Sequence, residues 1–409
     1  MANLIKENSS ENSIKSKIVK ELYYNKVLSC AEISQKIKKS IPIVTKIIND
    51  MVTENLLIAK GVAESSGGRR PLIFALNTTE KFLIAIAMDQ YNARIAIYNE
   101  LNVPLTNPEI IDLKLPNNPN ALKELLDFIK TNIAKWGINV NKILGIGIGM
   151  PGFVNVKNGI NYSFLSTKKN SLKEYLSQEL KVPVFIDNDS SLVALAEFRF
   201  GAAKLKQNAM VINVGWGIGL GMIINGEIFR GSTGFAGEFS HMPTANGNEM
   251  CSCGKQGCLE TEASLLIVCK NGIAGLKSGR VSSLTEKMLG GALNDAELAI
   301  ANAANTGDQF AIELLYNAGY AIGKGLAILI HLMNPETIVL SGRGAKAGKI
   351  LMVPINQALQ KYAIPRLAEN TEIKISNLGY DAELLGAAIL IIENIEKIKS
   401  KKNAIINKL

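Results

Sequence analysis

Between Cys251 and Cys258 the chain sets three cysteines, in the run Cys251-Ser252-Cys253-Gly254-Lys255-Gln256-Gly257-Cys258, and His241 stands a little upstream. No other feature restricts the fold as much, because donors this close in sequence invite convergence on one point. Gly254 and Gly257 let the backbone reverse between the thiols. One imidazole and three thiols make the Cys₃His set of a tetrahedral structural zinc site, with no position left open for catalysis. Cys30 and Cys269 stand alone and read as buried apolar residues. The metal reading depends on compartment. The stretch from Met1 to Ser13 is polar and mixed in charge, unlike a signal peptide. No apolar run reaches the roughly 20 residues that span a bilayer; the candidate from Tyr320 to Met333 is interrupted by Lys324 and His331. The expectation is a cytoplasmic protein without membrane association, whose thiol cluster holds metal rather than disulfides.

A chain of 409 residues, 47% of them apolar, has room for two or three domains with cores of their own. Ser13 to Tyr24 reads as a helix, with Ile14, Ile18, Val19 and Leu22 on one face. Ala31 to Lys38 reads as a second helix. A third starts near Ser40, which is placed to cap it, with Pro42 in its first turn. Leu56 to Ala59 and Leu72 to Leu76 read as strands flanking a glycine-rich turn. Three helices followed by a hairpin is the order of a winged helix-turn-helix. Beyond Lys81 the pattern alternates strands (82–88, 94–98, 143–148, 182–186, 210–214, 221–224, 337–340) with helices (121–135, 172–180, 309–333). That alternation argues for mixed sheets in an α/β protein, and its two series argue for two lobes.

The net charge of +9 is uneven: residues 1–75 carry twelve Lys/Arg against seven Asp/Glu. A basic first module suits duplex DNA, since phosphate neutralisation supplies much of the affinity. The second helix of a helix-turn-helix lies in the major groove with its N-terminal residues near base edges. Here that helix exposes Ser40, Ile43, Thr45 and Lys46. Thr45 can offer a methyl or a hydroxyl, and Lys46 can reach guanine or phosphate. At the hairpin tip, Arg69 and Arg70 follow Gly67-Gly68 and suit a narrow minor groove. The plainer readings are a solvated linker or a protein-interaction module.

Gly237-Glu238-Phe239-Ser240-His241 followed by Cys-x-Cys-Gly-x-x-Gly-Cys-x-Glu resembles the signature of the ROK family of repressors, open reading frames and kinases. So do Gly147-x-Gly149-Met150-Pro151-Gly152, Asp187-Asn188-Asp189, Gly215-x-Gly217-x-Gly219-x-Gly221 and Asp381-Ala382-Glu383-Leu384-Leu385-Gly386-Ala387-Ala388. Ser240 stands where members usually have glycine. The N-terminal module resembles that of the xylose-repressor and N-acetylglucosamine-repressor branch. The resemblance implies a winged helix-turn-helix over 1–78 and then a two-lobed, actin-like fold. The first lobe covers 79–195, completed by a helix over 381–395. The second covers 196–380 and carries the zinc motif.

It also implies a sugar pocket of Asn188, Asp189, Glu238, His241 and Glu260, with the two sets supplied by different lobes. Carboxylates accept sugar hydroxyls through charge-assisted bonds, and Asn both donates and accepts. His241 would bind zinc by one ring nitrogen and face the sugar with the other. Family kinases carry an Asp-x-Gly-Gly-Thr phosphate loop; the matching stretch is Asp89-Gln90-Tyr91-Asn92-Ala93, without glycines or threonine. The second loop, usually Gly-Thr-Gly, is Gly215-Trp216-Gly217, and Ser341-Gly342-Arg343-Gly344 partly keeps the nucleoside turn. Asp189 holds the position of a kinase general base. The expectation is therefore no enzyme but a repressor that binds operator DNA as a homodimer or dimer of dimers and answers to a sugar or sugar phosphate. The alternative is an ATP-dependent sugar kinase with an accessory DNA-binding module.

Overall fold

In the computed structural model, which describes residues 2–63, 70–78, 81–167, 171–245, 247–290 and 293–398, the apolar stripes of the N-terminal segment meet in one small core. Helices α1 (Ala2–Asn25), α2 (Cys30–Ile37) and α3 (Ile41–Thr53) turn Ile18, Leu22, Ile33, Val44, Ile48 and Met51 inward. Leu28, Leu57 and Phe74 close the core from β1 (Val27–Ser29), β2 (Leu57–Val62) and β3 (Leu72–Leu76). This is the expected winged helix-turn-helix, with one addition. β1 pairs antiparallel with β3, giving the order β1-β3-β2; at three residues it is too short for alternation to reveal it. α2 opens on a capping box in which Glu32 N–H donates to Ser29 Oγ at 3.3 Å and Ser29 N–H to Glu32 Oε2 at 2.7 Å. Ser40 takes the N-cap position of α3 in extended backbone but makes no capping hydrogen bond, contrary to expectation. Pro42 in the first turn presets the helical φ instead.

The rest of the chain builds two mixed sheets on one plan. The first uses β4 (Phe82–Met88), β5 (Asn92–Asn99), β6 (Glu109–Asp112), β7 (Ile143–Met150) and β10 (Val184–Asn188), with α4 (Ala121–Lys135) and α5 (Leu172–Leu180) between strands. Two short strands, β8 (Val154–Asn155) and β9 (Ile160–Asn161), interrupt this series. The order is β10-β7-β4-β5-β6, with β4, β5 and β6 antiparallel and β4 parallel to β7.

The second sheet follows α6 (Asp189–Phe200) and uses β11 (Ala209–Val214), β12 (Ile218–Ile224), β13 (Glu227–Phe229), β14 (Thr337–Ser341) and β15 (Glu372–Ile375). Its order is β13-β12-β11-β14-β15, again an antiparallel meander joined to parallel strands. Its helices are α7 (Glu260–Ala263), α8 (Leu265–Lys277), α9 (Glu286–Gly290), α10 (Leu293–Asn305), α11 (Gln309–Met333), α12 (Gly348–Tyr362) and α13 (Pro365–Ala368), and α14 (Ala382–Glu393) closes the series. β4 and β7 are buried along almost their whole length, so they read as continuous apolar runs.

Chain proximity divides the molecule into two compact units. Unit 1 holds the chain up to Met150, Val156–Asp187 and the segment from Ala387 onward; unit 2 holds Pro151–Asn155 and Asn188–Gly386. The division thus falls between Asp187 and Asn188, at the junction of β10 and α6. The reason is α6, which lies directly on β12: a Cβ on Gly221 would come within 2.6 Å of the Ser190 carbonyl oxygen. The buried Glu197 of α6 also accepts hydrogen bonds from Ser341 Oγ at 2.7 Å, from Ser376 Oγ and from Ala202 N–H at 2.9 Å.

The N-terminal module is grouped with the first sheet, and polar bonds explain part of this. Tyr24 Oη donates to Glu393 Oε1 at 2.6 Å, Lys20 Nζ to the Glu393 carbonyl at 2.7 Å, and Tyr23 Oη to Asn102 Oδ1 at 2.9 Å. Also in unit 1, Gly147 of β7 leaves room for α14, whose Ala387 carbonyl occupies the space a Cβ would need.

Candidate functional site

Four donors converge beside the second sheet. A 3₁₀ turn over Phe239–His241 carries the imidazole, anchored by the buried Phe239 ring, which fits because Gly325 of α11 has no side chain. Bridges between Pro243 and Cys258 and between Met250 and Gln256 fold the cysteine segment back on itself. Gly254 and Gly257 take positive φ, 80° and 77°, as a chain reversing between ligands requires. His241, Cys251, Cys253 and Cys258 present donor atoms that all lie within 4.8 Å of one another. Cys251 Sγ is 3.5 Å from His241 Nδ1, and Cys253 Sγ is 3.6 Å from Cys258 Sγ. Zinc bond lengths give tetrahedral edges of about 3.6 Å (S–N) and about 3.8 Å (S–S), so the donors fit such an ion. Burial, with hydrogen bonds to the neighbouring thiols, pushes the Cys258 thiol up to about 12, so a metal that takes it as thiolate must displace a firmly held proton.

The other imidazole nitrogen, Nε2, lies 3.7 Å from Glu238 Oε2. Glu260 opens α7 and hydrogen-bonds with Ser240. Desolvation raises both carboxyls above the ordinary range; His241 works against it at both, and at Glu238 the Glu260 charge adds to it. Asn188 and Asp189 stand at the start of α6. Asn188 Oδ1 accepts from Ser190 and Ser191 N–H at 3.0 and 3.1 Å, and its Nδ2 donates to the Gly152 carbonyl at 3.3 Å. Its amide is therefore a helix cap first, a commitment the sequence reading missed. Asp189 Oδ1 accepts from Ser190 N–H at 2.6 Å.

β12 and the turn before it connect the two groups. A Cβ on Gly217 would meet Glu260 Oε2 at 3.4 Å, and one on Gly219 would meet Ser190 Cβ at 2.7 Å. Asn188, the last residue of β10, and Asp189, the first of α6, group by chain proximity with Glu238, His241 and Glu260 in unit 2.

On the DNA-binding module, Ser40 and Lys46 are exposed but Thr45 is half-buried, because Val44, Ile47 and Ile48 pull that side of α3 into the core. Arg70 is exposed, and Arg69 lies outside the described residues. Asn49, also exposed on α3, went unnoticed in the sequence because it sits beyond the first turn.

The loops matching kinase phosphate sites are engaged by the protein itself. Asp89 Oδ1 accepts the N–H groups of Tyr91 and Asn92, each at 2.8 Å, and the Asn92 side chain is buried rather than projecting outward. Arg343 stacks on Tyr380 and Trp216, 3.9 and 5.2 Å from their ring centroids, and lies 3.7 Å from Glu297. All four side chains come from unit 2, and the roles of Tyr380 and Glu297 carried no signal in the sequence.

The sequence profile of the ROK family matches residues 107–394. The glucokinase of Halalkalibacterium halodurans is 36% identical over 70% of this chain and 89% of its own length. The xylose repressor of Bacillus spizizenii is 29% identical over 92% of this chain and 94% of its own. Among solved structures, a ROK family transcriptional regulator, a homologue of the Escherichia coli Mlc protein, superposes with a TM-score of 0.76 at 25% identity, covering 95% of this chain and 98% of that one. The paired sheets and the N-terminal module are those of that regulator's fold: the chain belongs to the ROK family.

Proposed function

We propose that the protein is a transcriptional repressor that binds operator DNA through its winged helix-turn-helix and releases it in response to a sugar or sugar phosphate. The observation that carries this reading is the exposed face of α3, with Lys46 and Ser40 presented to solvent on a separately cored module. The xylose repressor matches over nearly its whole length, which supports the same reading. The sugar would be held by Glu238, His241 and Glu260, with Asp189 beside them across the start of β12. Zinc, held by His241, Cys251, Cys253 and Cys258, would fix the imidazole so that Nε2 faces the pocket. A sugar that contacts unit 2 better in one conformation than another shifts the balance between them by that difference. A coupling of about 1–3 kcal/mol changes operator affinity roughly 5- to 150-fold. A thermal-shift screen with sugars and sugar phosphates selects the effector, since a ligand of the folded state raises its stability. Anisotropy titrations against duplex DNA, with and without that effector, then test the reading.

A second reading, a sugar kinase with Asp189 as general base, is favoured by the 36% identical glucokinase. The engagement of the Tyr91 and Asn92 amides by Asp89 weighs against it. Sugar-dependent ATP turnover that disappears in Asp189→Asn would decide for the kinase.

A further inference from the structure

Five exposed residues of α3 form one stripe. At 100° per residue, Asn49, Pro42, Thr53, Lys46 and Ile43 fall within about 120° of one another, and all five are exposed. Val44, Ile47, Ile48 and Met51 fill the opposite face and are buried at 4% exposure or less. The stripe is unusual in its chemistry. Ile43 keeps 47% of its surface exposed; Ile41, in the first turn, is 52% exposed but projects about 160° away from Ile43 and lies off the stripe. The one cation on the stripe is Lys46. The other nearby cations, Lys38, Lys39 and Arg70, lie off the helix; like Lys46 they are exposed, and they form no ion pair among the described residues. The acidic groups of the module are partly spent on other lysines: Glu54 and Glu11 lie within 4 Å of Lys15, and Glu21 is 3.9 Å from Lys36. Asp50, half-buried, is the one acidic side chain within the arc of the stripe; with Lys46 on it and Lys38 and Lys39 just ahead of the helix the face stays net positive, and its uncharged reading groups are an amide and a branched alkyl group.

That combination matches one occupant, the major groove of duplex DNA. The cations meet phosphates on either side, which fixes register without reading sequence. An aliphatic side chain in the groove gains only from the C5-methyl of thymine, and an Asn amide pairs bidentately with N6 and N7 of adenine. Guanine is read by arginine or lysine; α3 has no arginine, and its single lysine, Lys46, can equally take a phosphate. We infer that Asn49 and Ile43 are the base-reading residues of this protein, Asn49 selecting an adenine and Ile43 a thymine in each operator half-site. The inference rests on the DNA-binding reading above and specifies what that reading leaves open.

The test uses the full chain. Selection from a randomised duplex pool should return half-sites with a required adenine and a required thymine. Asn49→Ala should lower affinity for the selected duplex about 5- to 150-fold, relax selection at the adenine alone, and leave binding to random duplex and its salt dependence unchanged. Replacing that adenine by 7-deazaadenine, which removes the N7 acceptor, should weaken the parent but not Asn49→Ala. Replacing the thymine by deoxyuridine, which removes the methyl, should weaken the parent but not Ile43→Ala. Both residues are exposed, so the melting temperature of each variant should equal the parent's. Base analogues that weaken parent and variants alike, or a selected site without the two bases, would overturn the inference. Failure to bind any duplex at low salt would instead overturn the DNA-binding reading itself.

Discussion

The two ring nitrogens of His241 face different groups: Nδ1 stands among the thiols, and Nε2 faces Glu238. Glu238→Ala should therefore abolish the sugar response while operator affinity without sugar stays within about twofold of the parent. His241→Ala should lose the response and also metal, lowering the melting temperature. Titrations of both variants, paired with metal analysis, check this. A different kind of residue effect is expected at Asp308, the N-cap of α11. Burial raises its carboxyl, but hydrogen bonds from the N–H groups of Ala311 and Ser283, at 2.9 and 2.6 Å, and from the hydroxyls of Ser282 and Ser283 outweigh that and hold it at about 2. A depressed folded-state value stabilises above the unfolded value of about 3.9 and loses that stabilisation as pH falls through about 2. Asp308→Ala should lower stability by about 1–2 kcal/mol near neutral pH. In urea unfolding the gap between parent and variant should narrow between about pH 4 and about pH 2. A gap that stays constant would contradict the assignment.

At the scale of elements, the cysteine hairpin shows what sequence makes legible. Its thiols lie within one short segment and the imidazole on one turn, so spacing alone implies convergence, and the four donor atoms do converge. Asn188 shows the opposite case. Its hydrogen bonds to Ser190, Ser191 and Gly152 depend on where α6 begins, and α6 is placed by contacts from Gly221, Ser341 and Ser376, all distant in sequence. The glycines at 147 and 221, which sequence places in strands and in family motifs without a reason for glycine, prove to be seats for helices. Two measurements belong to this scale. Elemental analysis should find about one zinc per chain, and chelation or Cys253→Ser should lower the melting temperature, since a structural metal contributes folding energy; unchanged melting after metal loss would refute a structural zinc. The link between α1 and the end of α14 is testable through the Glu393 carboxylate, which accepts from Tyr24 Oη and lies 3.3 Å from Lys20 Nζ. Glu393→Ala should increase hydrogen exchange in residues 20–25 and lower stability by roughly 1–3 kcal/mol.

For the whole molecule, one helix-turn-helix reads too few base pairs for a genome-wide address, so two copies related by a two-fold axis are expected on a pseudo-palindromic operator. Footprinting of a symmetric pair of half-sites would agree with this; an asymmetric single half-site held by a monomer would not. The central claim is that one chain couples sugar recognition in unit 2 to DNA reading by α3. The most direct measurement is an anisotropy titration of the selected operator duplex by the full chain, with and without the sugar chosen by thermal shift, run in parallel on Glu238→Ala. Operator affinity of the parent should fall roughly 5- to 150-fold with sugar, and that of Glu238→Ala should not fall. Release of DNA by both proteins at the same sugar concentration would contradict it.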